Sequence, residues 1–456
     1  MKTIFFLYLL VILPLNAFSQ WTFNAKLPYD TAYPPNIRQI CVIDSSVSWV
    51  CGTTNRNPNP YAPYLAKRSI NGWWQITSFD LNPTIQVSAF TARDSSTAWL
   101  GTFYPEEIYF TSNGGANWIL QAHISDTAFV DGIMFSKKFP NIGYSFADIG
   151  HNGLFEGVYI LKTTNSGLNW NSWEFDFPDF FCAENSISVI DSNYAWFGLQ
   201  NLTENTSKLV MTSNGGINWN IIDINNGNYS PISLKFSSDE QTGLYFYVNN
   251  TTRIYRTTNS GFNWTPIFTI NSYFFPYAMK WVIGTSNIYA DDENTVIHSI
   301  DNGITWSQMT GINSSVLISL DAIKINNGTI YALALDQYGM IYRLLDTARV
   351  IGIEQLGTTL PKKFSLSQNY PNPFNPSTKI DFDLPKDENV TIEIYDMLGR
   401  VVEILAKNEL KRAGSYQVNW NASNFSSGVY FYRLEARQVG SSTGDYVTTK
   451  KMVLIK

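Results

Sequence analysis

Histidine and cysteine are nearly absent, with three of each in 456 residues. His123, His151 and His298 share no close ligand spacing, and Cys41, Cys51 and Cys182 are too few to staple a fold. Neither a metal site nor a disulfide scaffold is therefore expected. Cys41 and Cys51 flank the turn Asp44-Ser45-Ser46-Val47. A hairpin centred on Ser46 sets them face to face, so they form either one bridge or two small buried side chains, with Cys182 unpaired in both cases. Charge is also sparse. Asp, Glu, Lys and Arg make up 15% of the chain and the formal net charge is -6, which leaves no basic face for nucleic acid. A disordered chain would carry more charge and fewer aromatics than the 15% in this one. P-loop and dinucleotide fingerprints are missing, so no cofactor is expected.

Long apolar runs are missing after the first residues. Met1 to Gln20 carries one Lys, an apolar run from Ile4 to Leu13 and the small-residue site Ala17-Phe18-Ser19. The run is well short of the ~20 residues that span a bilayer, so residues 1–19 are expected to be a signal peptide. The mature chain then starts near Gln20 with no transmembrane segment.

What the sequence has in abundance is a repeat. TSNGGANW ends at Trp118, TTNSGLNW at Trp170, TSNGGINW at Trp219, TTNSGFNW at Trp264 and SIDNGITW at Trp306, with a shortened SINGWW ending at Trp74. The Trp-to-Trp spacings are 44, 52, 49, 45 and 42 residues, the length of one four-stranded propeller blade. A second marker, an aromatic strand after a small or polar residue, occurs seven times, at Trp49, Trp99, Tyr144, Trp196, Tyr245, Tyr289 and Tyr331. The seventh unit reaches Met340 to Asp346 and has no turn-Trp segment. Trp21 to Ala25 resembles the segment after the turn in other units, so the N-terminus is expected to supply the missing outer strand. Trp21 to Asp346 is 326 residues, about 47 per unit. The expectation for residues 20–346 is a seven-bladed β-propeller closed by its own first strand, since closure removes exposed edges.

The turn motif resembles the Asp-box, or bacterial neuraminidase repeat, with Asn in place of Asp in all but Asp301. Asn113, Asn165, Asn214, Asn259 and Asp301 are expected to accept backbone amides. Gly115, Gly167, Gly216, Gly261 and Gly303 permit positive φ, and Trp118, Trp170, Trp219, Trp264 and Trp306 pack beneath the turn. Asp-boxes occur in sialidases, xyloglucanases, sortilin-like receptors and the photosystem II assembly-factor family, and the middle of this chain looks most like the last.

After an expected linker over residues 347–363, the pattern changes. QNYPNPFNPSTKIDFDLP (Gln368 to Pro385), NVTIEIYDMLGRVV, GSYQVNW, SSGVYFYRL and KKMVLIK alternate apolar and polar residues between turn formers. This predicts an Ig-like antiparallel β-sandwich of six or seven strands over residues 364–456. These motifs resemble the type A C-terminal sorting domain of the type IX secretion system of Bacteroidetes. Tyr370, Pro371, Asn372, Pro373, Gly399, Gly428, Tyr430 and Lys451 carry the resemblance. It implies a partner, the type IX machinery, and a route through the periplasm to the outer surface or the medium, where the domain is usually cleaved off.

No catalytic constellation emerges. A sialidase needs an arginine cluster, but Arg38, Arg56, Arg68, Arg93, Arg253, Arg256 and Arg343 lack the F/Y-R-I-P motif, and Arg253 and Arg256 are expected as solvated strand residues. Other glycosidases need two carboxylates across a cleft. The acidic clusters Asp291-Asp292-Glu293 and Asp239-Glu240 fit hairpin turns. His123 and His151 lie in loops without a nucleophile signal. Asp30-Thr31-Ala32, Asp126-Thr127-Ala128 and Asp346-Thr347-Ala348 resemble a short O-glycosylation motif of Bacteroidetes exports. The sequence thus points to a non-catalytic extracellular propeller that binds a protein or glycan. A secreted polysaccharide hydrolase and a structural surface component are the alternatives.

Overall fold

The computed structural model describes residues 20–455 except 30–34, 55–61, 69–71, 73, 77–84, 104, 127–128, 152–153, 202, 205, 225–230, 250, 271–277, 293–294, 313–315, 326–328, 348–352, 358–360, 412, 423–424 and 438–445. The expected signal peptide, Arg56, Glu293 and two of the three glycosylation-like threonines, Thr31 and Thr127, lie outside the described residues, as do the side chains of His151, Asp292 and Thr347.

Six four-stranded antiparallel sheets follow one another, each built in chain order. Blade 1 begins with Asn36–Val42, blade 2 with Gln86–Ala92, blade 3 with Val130–Phe135, blade 4 with Phe181–Val189, blade 5 with Pro231–Phe236 and blade 6 with Met279–Trp281. Blade 7 takes three strands, Leu317–Lys324, Thr329–Asp336 and Met340–Thr347, from the end of the repeat, and its fourth, Thr22–Lys26, from the N-terminus. Thr22 pairs with Arg343 and Lys26 with Met340, with a bulge between Phe23 and Ala25. Seven units of about 47 residues and six turn motifs required this arrangement.

Burial grades outward within a blade. Second strands such as Ser48–Thr53 are buried throughout, whereas fourth strands such as Asn171–Asp176 are exposed at most positions, because second strands are paired on both sides and the outer strand is an edge that faces bulk solvent. The apolar side chains merge across blade boundaries. Trp49 and Leu65 of blade 1 share a core with Phe90, Leu100 and Trp118 of blade 2, and Leu333 and Leu335 of blade 7 share one with Ile37, Ile40 and Val50 of blade 1.

The aromatic markers reach further than their own cores. The Trp49 indole donates to the Asp94 carbonyl at 3.0 Å, Trp196 to the Ser260 carbonyl at 3.0 Å, and the Tyr144 hydroxyl to the Ser192 carbonyl at 3.4 Å. The Tyr289 hydroxyl donates to Asp346 at 2.8 Å, and Tyr331 accepts from Arg68 at 2.7 Å. Each of these bonds joins one blade to the next.

The cysteines correct one of the two readings of the sequence. The first hairpin pairs Val42 with Ser48, so it centres on Ser45 and places Cys41 opposite Trp49 and Cys51 opposite Gln39. All three cysteines are buried free thiols. Burial raises the Cys41 and Cys51 thiols above their ordinary range.

The C-terminal unit is a sandwich of two four-stranded sheets. Strands such as Glu388–Tyr395 alternate strictly between buried and half-buried positions. The inward residues, among them Ile380, Phe382, Ile392, Val418, Trp420, Tyr432, Leu434 and Met452, form one core. Two boundaries differ from expectation. The stretch expected as linker begins inside the strand Met340–Thr347 and contains a further strand, Ile353–Gly357, whose backbone pairs with Gly414–Asn421. It covers a sheet edge that would otherwise stay open, and with the short Ser365–Leu366 it brings the sandwich to eight strands among the described residues.

Ring closure rests on close backbone approach. The Trp21 N–H donates to the Thr310 carbonyl and the Leu27 N–H to the Gly339 carbonyl, both at 2.9 Å. Gly311 has φ +99°, and a Cβ there would lie 1.9 Å from the Trp21 carbonyl oxygen. We predict that Gly311→Ala lowers stability by about 2 kcal/mol or more. Gly284→Ala, at φ +71° with open space around it, should cost only about 1 kcal/mol. Urea midpoints of the two variants check the difference.

Candidate functional site

Five turns repeat the same two backbone-amide bonds, and in the first and last of them the Trp indole adds a third, Trp306 donating to the Gly303 carbonyl at 2.9 Å. In the first, the Gly115 N–H donates to Thr111 Oγ1 at 3.0 Å, the Asn117 N–H donates to Asn113 Oδ1 at 2.9 Å, and the Trp118 indole donates to the Gly115 carbonyl at 3.1 Å. Asn165, Asn214, Asn259 and Asp301 accept equivalent amides at 2.9–3.0 Å. Gly115, Gly167, Gly216, Gly261 and Gly303 have φ between 83° and 97°. The Asn or Asp oxygen and the Thr or Ser hydroxyl thus hold amides that the reversal of the chain leaves unpaired. Within their own blades Trp264 lies edge-on to Tyr245 at 4.6 Å and Trp170 edge-on to Phe135 at 6.3 Å, and each packs on a core shared with the preceding blade, containing Trp196 and Leu209 for Trp264 and Trp99 for Trp170.

These turns are tied to the loop between the first and second strands of their own blades, so both sit at one end of the ring. The Gly114 N–H donates to the Ser96 carbonyl, Gly215 to Asn193, Ser260 to Gln241 and Asn302 to Ser286. The loops are themselves set by carboxylates: Asp44, Asp94, Asp191 and Asp239 each accept two backbone amides through Oδ1. Between Gly and Trp of the turn stand Leu168, Ile217, Phe262 and Ile304, exposed by 77, 81, 53 and 51%. Four successive blades therefore present a large apolar side chain at the same position of the same end.

Through the middle runs a channel of about 1370 Å³, lined by the first strands of all seven blades. Lys280 of blade 6 meets Asp321 of blade 7 at 2.5 Å, and Asp321 also accepts the Val42 N–H of blade 1 at 2.6 Å. Burial works against the Lys280 charge, and Asp321 more than restores it. Lys235 of blade 5 donates to the Ile187 carbonyl at 3.2 Å. Burial, then the neighbouring Lys280 charge, pulls its pKa down to about 7.

The expected site residues do not converge. Arg68 bridges the Ser45 carbonyl and Tyr331, Arg93 lies 3.4 Å from Asp94, Arg38 lies over the Phe103 ring in the channel wall, and Arg256, half-buried rather than solvated, donates to the Asn302 carbonyl at 3.2 Å. Arg253 is exposed and Arg343 sits on the strand that closes the ring. His123 lies on a strand, 3.2 Å from Glu107, and His298 stacks on Tyr289 at 4.4 Å. Asp239 and Glu240 make a hairpin turn. Asp291 departs from expectation: it is buried and accepts the Ala278 N–H at 2.7 Å, so it holds the first strand of its blade rather than a solvated loop. Lys235, Lys280 and Asp321 carry no sequence signal because no spacing links three strands of three blades. The only trace was a charged residue at an inward position of an apolar strand.

In the sandwich, the YPNPFNP loop clasps the last strand, Tyr446–Leu454. Gln368 donates to the Lys451 carbonyl at 2.7 Å, the Val453 N–H to Asn372 at 2.9 Å, and the Phe374 N–H to the Val453 carbonyl at 3.0 Å. Both X-Pro bonds, Tyr370-Pro371 and Asn372-Pro373, are cis. Tyr370 is exposed, Phe374 buried, and Gly399 at φ +76° completes a turn held by Asp396. Gly428 opens the strand that pairs with the last one, and Tyr430 packs on Trp420 at 5.5 Å.

A lysine whose pKa falls on folding carries a fixed sign. Between about 7 and its ordinary value near 10.5, Lys235 binds fewer protons in the folded than in the unfolded chain. Stability then rises with pH across that window, by at most ~1.4 kcal/mol per unit, and is lost as pH falls toward 7. Lys235→Met should flatten this rise, and its advantage over the parent should be larger at pH 7 than at pH 10 in paired urea titrations.

Residues 368–454 match the family model of the secretion system C-terminal sorting domain. No curated protein matches the chain. Among solved structures, YCF48 bound to D1 peptide superposes with TM-score 0.50 at 15% identity, over 72% of this chain and 97% of that one. YCF48 from Cyanidioschyzon merolae gives 0.45 at 13%, over 72% and 98%. An ancestral GH74 enzyme gives 0.51 at 14%, over 94% of this chain and 61% of that enzyme. At such identities the likeness is one of fold, and it spans a peptide binder and an enzyme. The chain is a β-propeller of the kind found in YCF48 and GH74 proteins, joined to a type IX secretion sorting domain that sends it to the cell surface or out of the cell.

Proposed function

We propose that this is an exported binding protein. Residues 1–19 take it across the inner membrane, the sorting domain takes it from the periplasm across the outer membrane, and the propeller then holds a protein or glycan without acting on it. The observation that carries this reading is the apolar row Leu168, Ile217, Phe262 and Ile304 at one end of the ring. Four large apolar side chains held exposed at the same position of successive blades supply the apolar anchors a contact surface uses, and a propeller of the same fold is seen with a peptide bound. Against the hydrolase reading, the channel carboxylates have other duties: Asp321 is paired with Lys280, and Asp239 holds a turn.

Two results are expected. The mature chain should turn over neither sialosides, xyloglucan nor aryl glycosides, and on glycan and surface-protein arrays it should give saturable binding that is lost when Leu168, Ile217, Phe262 and Ile304 are all changed to Ser at unchanged melting temperature. Turnover abolished by Asp321→Asn would instead establish the hydrolase. Deleting Lys450 to Lys456 removes ladder bonds and the buried Met452 and Leu454, each worth about 1.5–3 kcal/mol. That chain should accumulate in the periplasm of a type IX-competent host, and surface or medium levels equal to full length would contradict the sorting role.

A further inference from the structure

We propose that a divalent transition metal, zinc, binds where blades 3 and 4 meet, held by Asp131, Asp148 and Cys182, with the buried Glu106 of blade 2 beside them. Asp131 lies on the first strand of blade 3, Asp148 on its second, and Cys182 on the first strand of blade 4. One ligand atom from each of these three lies within 4.8 Å of the others, near the ~3.5–4.5 Å that ligands of a single zinc ion keep. All three are buried. Asp148 Oδ1 already accepts the Cys182 N–H at 2.6 Å, which fixes the carboxylate as an outer partner fixes a metal ligand.

Glu106 supplies an independent observation. It opens the third strand of blade 2 and is 0% exposed, yet neither of its carboxylate oxygens has a hydrogen-bond partner among the described residues. Asp148 Oδ2 is equally without one. Glu106 lies close enough to both Asp148 and Cys182 for its charge to act on them. Buried carboxylates without partners are costly when ionised, and a cation beside them offsets that cost.

The donor set selects the metal. Calcium and magnesium take oxygen ligands, in numbers this pocket does not offer, whereas a thiolate among carboxylates suits zinc and its neighbours in the first transition row. Asp131 also lines the central channel, which gives the ion a way in. Once bound, it would tie blades 3 and 4 together.

The test uses the mature chain, residues 20–456, stripped with chelator and reloaded. Calorimetry and elemental analysis should give one equivalent of zinc, and cobalt in its place should show a thiolate-to-cobalt absorption band. Cys182→Ser should abolish the band and Asp148→Asn should weaken zinc binding at least 100-fold. His123→Ala, which removes the exposed imidazole beside Glu107 at 3.2 Å and Asp126 at 3.5 Å, should leave both intact. Should Cys182→Ser fail to fold, a Cys41→Ala/Cys51→Ala chain that keeps the band assigns it to Cys182. No bound metal, binding of calcium alone, a cobalt spectrum without the thiolate band, or loss of binding in His123→Ala overturns the proposal.

Discussion

A ring of sheets is stable only if its last sheet is finished, and in this chain one short pairing finishes it. Thr22–Lys26 lies along Met340–Thr347, so the two ends of a repeat more than 300 residues long are held in one blade. Without that strand, blade 7 would present a row of unpaired backbone groups and an uncovered apolar face. Trp21, 1% exposed, packs with Met309, Ile312 and Leu317 from the junction of blades 6 and 7. The strand therefore closes a blade and a blade boundary together. Everything that depends on a circular arrangement, including the channel and the alignment of the turns at one end, inherits this requirement.

Around the ring the same problem is solved locally by aromatic side chains of the second strands, which bury their rings between blades and spend their one polar atom on the neighbour. A buried indole N–H or phenol gains from an acceptor, and in blades 1, 3 and 4 the next blade's turns supply it: Asp94, Ser192 and Ser260 offer backbone carbonyls. The Asp-box turns and the Asp-led loops do the equivalent work at the end of each blade. Because local hydrogen bonds hold that end rigid, its apolar residues are displayed rather than folded inward.

The architecture was legible because it is periodic. Seven aromatic markers against six turn motifs dictated both the number of blades and the donor of the missing strand, and the turn residues announced their geometry through Asn, Gly and Trp at fixed offsets. The sandwich was legible through its motifs, which the family model matches over residues 368–454. The linker was misjudged because Ile353–Gly357 is a single edge strand with no alternating partner nearby in sequence. The cysteines stayed ambiguous because one residue of hairpin register decides between facing and not facing. The interior was silent. Asp131, Asp148 and Cys182 approach one another from three strands of two blades, and Lys235 and Asp321 from two more. Such groups are gathered by the ring itself, so no spacing along the chain encodes them, and a search for close His and Cys pairs passes over them.

Hydrogen exchange on the mature chain and on one lacking residues 20–28 tests the closing strand most directly. If that strand completes the ring, its removal strips amide protection from Met340–Thr347 and then from blades 6 and 1 on either side, while the sandwich strands Glu388–Tyr395 and Gly428–Arg437 keep theirs. Unchanged protection throughout the propeller would mean that the ring stands without its N-terminal strand, and closure by Thr22–Lys26 would be refuted.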